Sequence, residues 1–149
     1  MKTLILAACA LAITGCQSPP RPPDLRPPLV QKLHQRGVTD ATTARIILVG
    51  SEGGYGSDTQ VVITADFLIR EIWDTIHQSR PHNAWVASGY RKLQFHTDAR
   101  SAAPAAELLV NATDRCHFDD DSDDAFRCPG INNILEPLVK ANYENDNRR

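Results

Sequence analysis

An excess of basic residues is the first thing that this sequence lacks. It has 16 Lys and Arg against 18 Asp and Glu among 149 residues, a formal net charge of −2. Proteins that bind nucleic acid usually carry a basic face, because they must neutralise phosphates. The composition therefore predicts no nucleic acid among the partners.

The chain also lacks motifs of catalysis. The glycine-rich stretch 51–58 is not a phosphate-binding loop, because a strand pattern follows it and Glu52 and Asp58 add negative charge where an anion would bind. There is no nucleophile elbow, no CxxC and no carboxylate pair outside an acidic run at 119–124. We therefore predict that the protein is not an enzyme. The stretch 51–58 reads as a hairpin loop whose Tyr55, with Glu52 and Asp58, could contact a partner; a tyrosine folded back on the sheet is the alternative.

The N-terminal residues resemble the signal peptide of bacterial lipoprotein precursors. Lys2 supplies a positive charge, residues 4–13 are an apolar run too short to span a bilayer, and residues 11–16 (LAITGC) have the form of a lipobox. The resemblance implies cleavage before Cys16, a diacylglycerol on its sulfur and usually a third acyl chain, such as palmitate, on its amino group. An ordinary secretory signal peptide, or an apolar helix of a cytosolic fold, is the alternative.

The resemblance also implies a location. In that family an Asp after the cysteine commonly marks retention in the inner membrane, whereas here Gln17 and Ser18 follow. We therefore expect a protein anchored through lipid on Cys16 to the outer membrane, facing the periplasm or the cell surface. Residues 17–28 hold six prolines in twelve positions, which predicts an extended spacer; a ligand for a proline-recognising groove is the alternative.

The cysteine count depends on this resemblance. Cys9 would be removed with the signal peptide and Cys16 would carry lipid, which leaves Cys116 and Cys128 in an oxidising compartment. We predict a disulfide between them, worth roughly 3 kcal/mol in the chain-entropy model. A metal site or a redox pair is the alternative, and the twelve-residue separation without a CxxC disfavours both.

The acidic run between these cysteines resembles the start of a calcium-binding loop. Asp119, Asp121 and Asp123 have the alternate spacing of an EF-hand, but Asp124 stands where glycine is required and Gly130 where glutamate is required. We predict a solvated turn without a cofactor, and a looser calcium site is the alternative.

Apolar patterns predict one domain of the α+β class. Strands are predicted at 44–50, 60–63, 84–89, 90–97 and 106–113, followed by a hairpin of 116–118 with 125–128. A short helix is predicted from Leu29. The two main helices are 64–79, with Thr64 as N-cap and Trp73 in the core, and a C-terminal helix that Pro137 would kink or divide.

We thus expect residues 1–15 as signal peptide, 16–28 as lipidated cysteine and tether, and 29–149 as a single globular domain with a frayed tail. The domain should be an antiparallel-rich sheet of four to six strands with two main helices packed on one face and one disulfide. The expected function is a binding or inhibitory module for an envelope protein, a glycan or peptidoglycan. A structural or assembly lipoprotein is the alternative, and an enzyme is less favoured.

Overall fold

The computed structural model describes residues 24–50, 60–82, 90–119, 121–146 and 148. Three helices and seven strands follow one another in these residues. They are α1 (Pro28–Gln35), β1 (Arg45–Val49), β2 (Gln60–Ile63), α2 (Asp66–His77), β3 (Arg80–His82), β4 (Tyr90–His96), β5 (Ala106–Asn111), β6 (Arg115–Phe118), β7 (Asp121–Arg127) and α3 (Ile131–Asp146). The predicted strand at 84–89 lies outside the described residues.

The strands form one antiparallel sheet in the order β2-β1-β4-β5-β6-β7-β3. The α+β class and the antiparallel sheet confirm the sequence prediction, whereas the predicted number of four to six strands is wrong. The strand β3 was missed because it has only three residues, one of them Pro81, and no apolar alternation. In addition, β7 begins at Asp121, so most of the predicted acidic turn is strand, and Phe118 pairs directly with Asp121.

One face of the sheet carries the core. Residues that lie opposite each other in neighbouring strands share a face, and the pairs Ile46 with Phe95 and Leu93 with Leu108 are fully buried. All three helices add side chains to this same cluster, among them Leu33, Trp73 and Leu135. The described helices therefore cover one face, which we call the helix face. The other face, which holds Lys92, Gln94 and Glu107, is called the open face.

Helix α2 crosses the helix face between opposite corners of the sheet, because it connects the edge strand β2 to the edge strand β3. Trp73 is 1% exposed, and its indole N–H donates a hydrogen bond to the hydroxyl of Thr43 at 3.1 Å. Its predicted place in the core is confirmed. The predicted cap is wrong: the N-cap residue is Ala65, with no side-chain hydrogen bond. Because the helix begins directly after Ala65, Asp66 lies in the first turn. Its negative charge interacts favourably there with the helix dipole.

Helix α3 is continuous from Ile131 to Asp146 with Pro137 inside it. The sequence predicts either a kink or a division at Pro137, and the division does not occur; the helix also extends beyond Tyr143, where the sequence predicts fraying. Packing explains both differences, since Ile131, Leu135 and Val139 are buried on one side of the helix while Pro137 lies on the exposed side. Among the described residues, no helix combines the length and the apolar character needed to cross a bilayer.

Candidate functional site

Helix α3 is fixed at its first turn by a carboxylate from another part of the chain. Asp114 lies between β5 and β6 with φ 60°, a left-handed conformation that Asp adopts more readily than most residues. Its carboxylate accepts hydrogen bonds from the backbone N–H groups of Gly130 (2.9 Å) and Asn132 (3.1 Å) and from the Asn132 side-chain amide (2.8 Å). Its carbonyl accepts the N–H of Cys128 at 2.8 Å. We call these four residues the Asp114 junction; it satisfies N–H groups that a helix start leaves unpaired.

Arg91 connects the same helix to the sheet. It lies on the helix face of β4, opposite Val110, and donates a hydrogen bond to the side-chain oxygen of Asn132 at 3.2 Å. A second guanidinium nitrogen is 3.6 Å from a carboxylate oxygen of Glu136. The Arg91 side chain is only 22% exposed, so these contacts hold the guanidinium in one place.

A groove of about 950 Å³ lies between Arg91 and one side of α3. We call it the α3 groove. Its helical wall is a row of side chains at spacings of three and four, formed by Asn133, Glu136, Pro137, Lys140, Tyr143 and Glu144, with Val139 beneath them. Tyr143 is one of the few large hydrophobic residues in the described part of the chain that are exposed, with 39% of its surface accessible. A cation, two carboxylates, an amide and an aromatic ring therefore line one side of α3, a combination suited to binding a polar ligand or a protein surface.

Pro137 changes the backbone hydrogen bonding of the helix beside this groove. Proline has no N–H, so the usual helical hydrogen bond from position 137 to the carbonyl of Asn133 cannot form. Both residues line the groove.

A smaller cavity of about 430 Å³ lies at the opposite end of β5, lined by Arg36, Glu107 and Asp119 among others. The guanidinium of Arg36 lies 3.9 Å from the centre of the Phe118 ring. Lys92 donates to Asp119 and to Glu107, each at 2.9 Å. The hydrogen bond to Asp119 and, to a smaller extent, the one to Glu107 raise the pKa of Lys92. The hydrogen bond from Lys92 in turn lowers the pKa of Asp119. These charges are paired with each other, which indicates a structural ion network rather than a binding surface.

The two predicted disulfide partners come together without a bond between them. The sulfur atoms of Cys116 and Cys128 are 2.9 Å apart, and both residues are fully buried. A disulfide would have an S–S distance near 2.05 Å, so the predicted bond is not present in this structure. The physical reason is that folding brings the thiols into contact but does not remove their hydrogens, which requires an oxidant. Burial raises the pKa of the Cys116 thiol well above its ordinary value, which disfavours a reactive thiolate.

The other predicted site residues divide into two groups. Cys16 and the loop residues Glu52, Tyr55 and Asp58 lie outside the described residues. Asp119 is bound by Lys92, while Asp121 and Asp123 belong to β7 and their side chains are outside the described part of the structure. No group of three or more potential metal ligands occurs among the residues that the structure describes, and the calcium alternative stays a prediction.

Sequence reasoning missed Arg91, Asp114 and Asn132. Arg91 precedes Leu93 and Phe95 by two and four positions, so strand alternation already places it on the apolar face. Asp114 ends the stretch Asn-Ala-Thr-Asp, whose Asn and Asp are typical of turns; the sequence analysis assigned residues as far as 113 to a strand. Asn132 carries no sequence signal that we can identify.

The comparisons with known proteins add no relative. No protein-family model matches the chain, and no curated protein or solved structure matches it. The candidate site therefore rests on the geometry of the α3 groove.

Proposed function

We propose that this chain is a lipid-anchored envelope protein that binds a partner in the α3 groove. The partner would be an envelope protein, a glycan or peptidoglycan, and binding could inhibit that partner. The observation that carries the proposal is the groove of about 950 Å³, in which charged, amide and aromatic side chains share one helix. The proposal requires no cofactor, no nucleic acid and no catalysis.

The fixed start of α3 supports this assignment. The Asp114 junction and Arg91 hold the helix at its first turn, so the groove side chains project from a rigid element. A preorganised surface loses less conformational entropy when it binds. Lys140 is exposed on this row, which gives the groove a cation that can meet a carboxylate of a peptide or of an acidic sugar. Arg91 lies across from it and is paired with Glu136.

Binding is tested with the full-length chain in detergent, immobilised and exposed to solubilised envelope proteins and to peptidoglycan fragments. Lys140→Glu and Tyr143→Ala should each reduce capture of the partner, because both side chains line the groove. Arg70→Glu is the matched control, since Arg70 is an exposed cation on α2 outside the groove. Equal capture by all three variants would refute the groove as the binding surface.

The lipid anchor is the second part of the proposal. It rests on the lipobox residues and predicts that Cys16→Ser abolishes acylation and leaves an unprocessed or soluble form. Mass spectrometry and detergent-phase partitioning measure this directly. A variant that is processed to the same mass as the unmodified chain and still partitions into detergent would contradict it.

We also propose that Cys116 and Cys128 form a disulfide in the oxidising envelope. The sulfur contact at 2.9 Å supports it. The bond would join Cys116 of β6 to Cys128, which belongs to the Asp114 junction, and so would add a covalent tie close to the groove helix.

The alternative function is a structural or assembly lipoprotein of the envelope. Two exposed apolar side chains, Val62 of the edge strand β2 at 54% and Phe67 of helix α2 at 68% exposed, favour this reading. If the unmodified chain captures a partner that the Lys140→Glu and Tyr143→Ala chains do not, the binding module is favoured over the structural lipoprotein.

A further inference from the structure

Three arginines lie side by side on neighbouring strands at the β3 edge of the sheet. Arg127 of β7 is directly opposite Arg80 of β3 and also directly opposite Arg115 of β6. Residues opposite each other share a face, and the adjoining pair, Cys116 with Phe126, is buried on the helix face. The three arginines, which we call the arginine row, therefore lie on the open face, with about 5 Å between neighbouring positions.

The arginine row makes this part of the open face cationic. Arg80 and Arg127 are both exposed, and neither has an ion pair among the described residues. Asp124 of the same strand β7 lies on the helix face, where it pairs with Lys32. Residues 83–89, which follow β3 in the chain, contain no Asp or Glu. Since like charges directly opposite one another destabilise a sheet, an anionic ligand would relieve a repulsion that the fold itself leaves in place.

The chain enters the domain at the same edge of the sheet. Helix α1 packs against β3, and Gln31 of α1 donates hydrogen bonds to the carbonyl oxygens of Asp24 (3.1 Å) and Arg26 (2.6 Å). Asp24 is eight positions from Cys16, the proposed site of the lipid. Eight residues span at most roughly 29 Å, so a lipid on Cys16 would keep the arginine row close to a bilayer.

We propose that the arginine row binds the phosphate groups of an anionic phospholipid surface, with the open face of the sheet directed towards the bilayer. Guanidinium groups donate paired hydrogen bonds to phosphate oxygens, and cations close to an anionic leaflet strengthen the attachment that a lipid chain provides. The proposal rests on the proposed function for the anchor on Cys16 and adds an orientation to it. Because the α3 groove lies on the helix face, this orientation directs the groove away from the membrane and towards a partner.

The test is binding of the full-length Cys16→Ser chain, which has no lipid, to phosphatidylcholine vesicles with and without roughly one third phosphatidylglycerol. We expect binding at least about tenfold stronger to the anionic vesicles, weakening as salt is added. Arg80→Glu and Arg127→Glu should each remove most of this preference. Arg70→Glu is the matched control, because it makes the same charge change at an exposed position of α2, on the helix face, and it should keep the preference. Residues 1–28 are the same in all these chains, so differences between them come from the domain.

A second measurement needs no substitution in the domain. Spin-labelled phosphatidylglycerol in the anionic vesicles should broaden the amide signals of Arg80 and Arg127 more than those of Lys140 and Tyr143, because the groove faces away from the lipid.

Equal binding to both kinds of vesicle would overturn the proposal, as would a preference that Arg70→Glu removes as fully as Arg127→Glu does, or stronger broadening on the groove side. Binding of inorganic triphosphate by a chain that does not prefer anionic vesicles would also overturn it, since the ligand would then be a soluble anion. Failure of the groove variants to affect partner capture would refute the proposed function and leave these vesicle measurements unchanged, so the two proposals can fail separately.

Discussion

Replacing Asp114 should weaken the domain more than replacing any other turn carboxylate that the structure describes. Its carboxylate accepts three hydrogen bonds, at 2.8, 2.9 and 3.1 Å, from Gly130 and Asn132. Asn132 is 8% exposed, so water cannot readily replace the lost acceptor. Hydrogen bonds to charged groups contribute about 1.5–3 kcal/mol each but are not additive within one network.

We expect Asp114→Gly to lower the free energy of unfolding by about 3 kcal/mol. Glycine adopts the φ of 60° without strain, so this variant removes the hydrogen bonds without adding backbone strain, and its cost includes the greater conformational entropy of the unfolded chain. Asp114→Ala should cost about 1 kcal/mol more, because alanine disfavours the left-handed conformation. The order of the two variants therefore separates the carboxylate from the backbone.

Equilibrium unfolding in urea, followed by circular dichroism on the full-length chain, measures both effects. Asp98→Ala is the control, since Asp98 is exposed and its carboxylate accepts a bond from the nearby N–H of Arg100; we expect a change of about 0.5 kcal/mol or less. An Asp114→Gly chain within 0.5 kcal/mol of the unmodified protein, roughly the size of an ordinary surface effect, would refute the structural role of the Asp114 junction.

Three further predictions concern the core. Protein made in an oxidising compartment is denatured without reduction, treated with a thiol-labelling reagent and analysed by peptide mapping. Cys116 and Cys128 should both be unlabelled; labelling of both would exclude the disulfide. Burial and, to a smaller extent, the positive charge of the nearby Arg45 lower the pKa of His96 below its ordinary value of 6.5. The unfolded chain therefore binds this proton more readily than the folded chain, and the free energy of unfolding should fall as pH drops below 6.5. His96→Gln should flatten that part of the profile in urea titrations, whereas a profile as steep as the original would contradict this. Trp73→Phe should cost about 1–2 kcal/mol, and a Trp73/Thr43 double-mutant cycle showing no coupling would reject the 3.1 Å hydrogen bond as the cause.

The helices could be predicted because their apolar periodicity is local. Ile69, Ile72, Trp73 and Ile76 form the buried side of α2, and Ile72 and Trp73 are each three or four positions from both Ile69 and Ile76. The start of that helix could not be predicted in the same way. Thr64 is a good capping residue by type, yet Ala65 occupies the N-cap because the link from β2 determines where the chain turns.

The strand pattern failed where another part of the chain covers a polar position. His96 falls on the polar side of the β4 alternation, which predicts partial exposure, but it is 1% exposed. It lies opposite Arg45 in β1, and Arg45 donates a hydrogen bond to the carbonyl of Ser101 at 2.7 Å. The contact with Ser101 joins positions 56 apart, so no short-range pattern contains it.

The candidate site has the same mixture of predictable and unpredictable parts. The amphipathic pattern predicts α3, and the alternation of β4 is consistent with Arg91 on the helix face. Their meeting depends on a hydrogen bond between residues 41 positions apart and on Asp114, which is 16 and 18 positions from its two partners. Those contacts are tertiary, so the sequence predicts the pieces of the groove but not the groove.

Arg91 links the stability of the fold to the proposed binding surface, and this link determines which variants are informative. It lines the groove and also holds Asn132, which is bound to Asp114. Substitution of Arg91 would therefore change both properties together, whereas Lys140 lies on the exposed side of α3. Asp114 is absent from the groove lining, but its junction holds the start of α3, so Asp114→Gly should reduce apparent affinity by more than the fraction of unfolded chain explains. A loss no larger than that fraction would mean that the Asp114 junction stabilises the fold without positioning the helix against the partner.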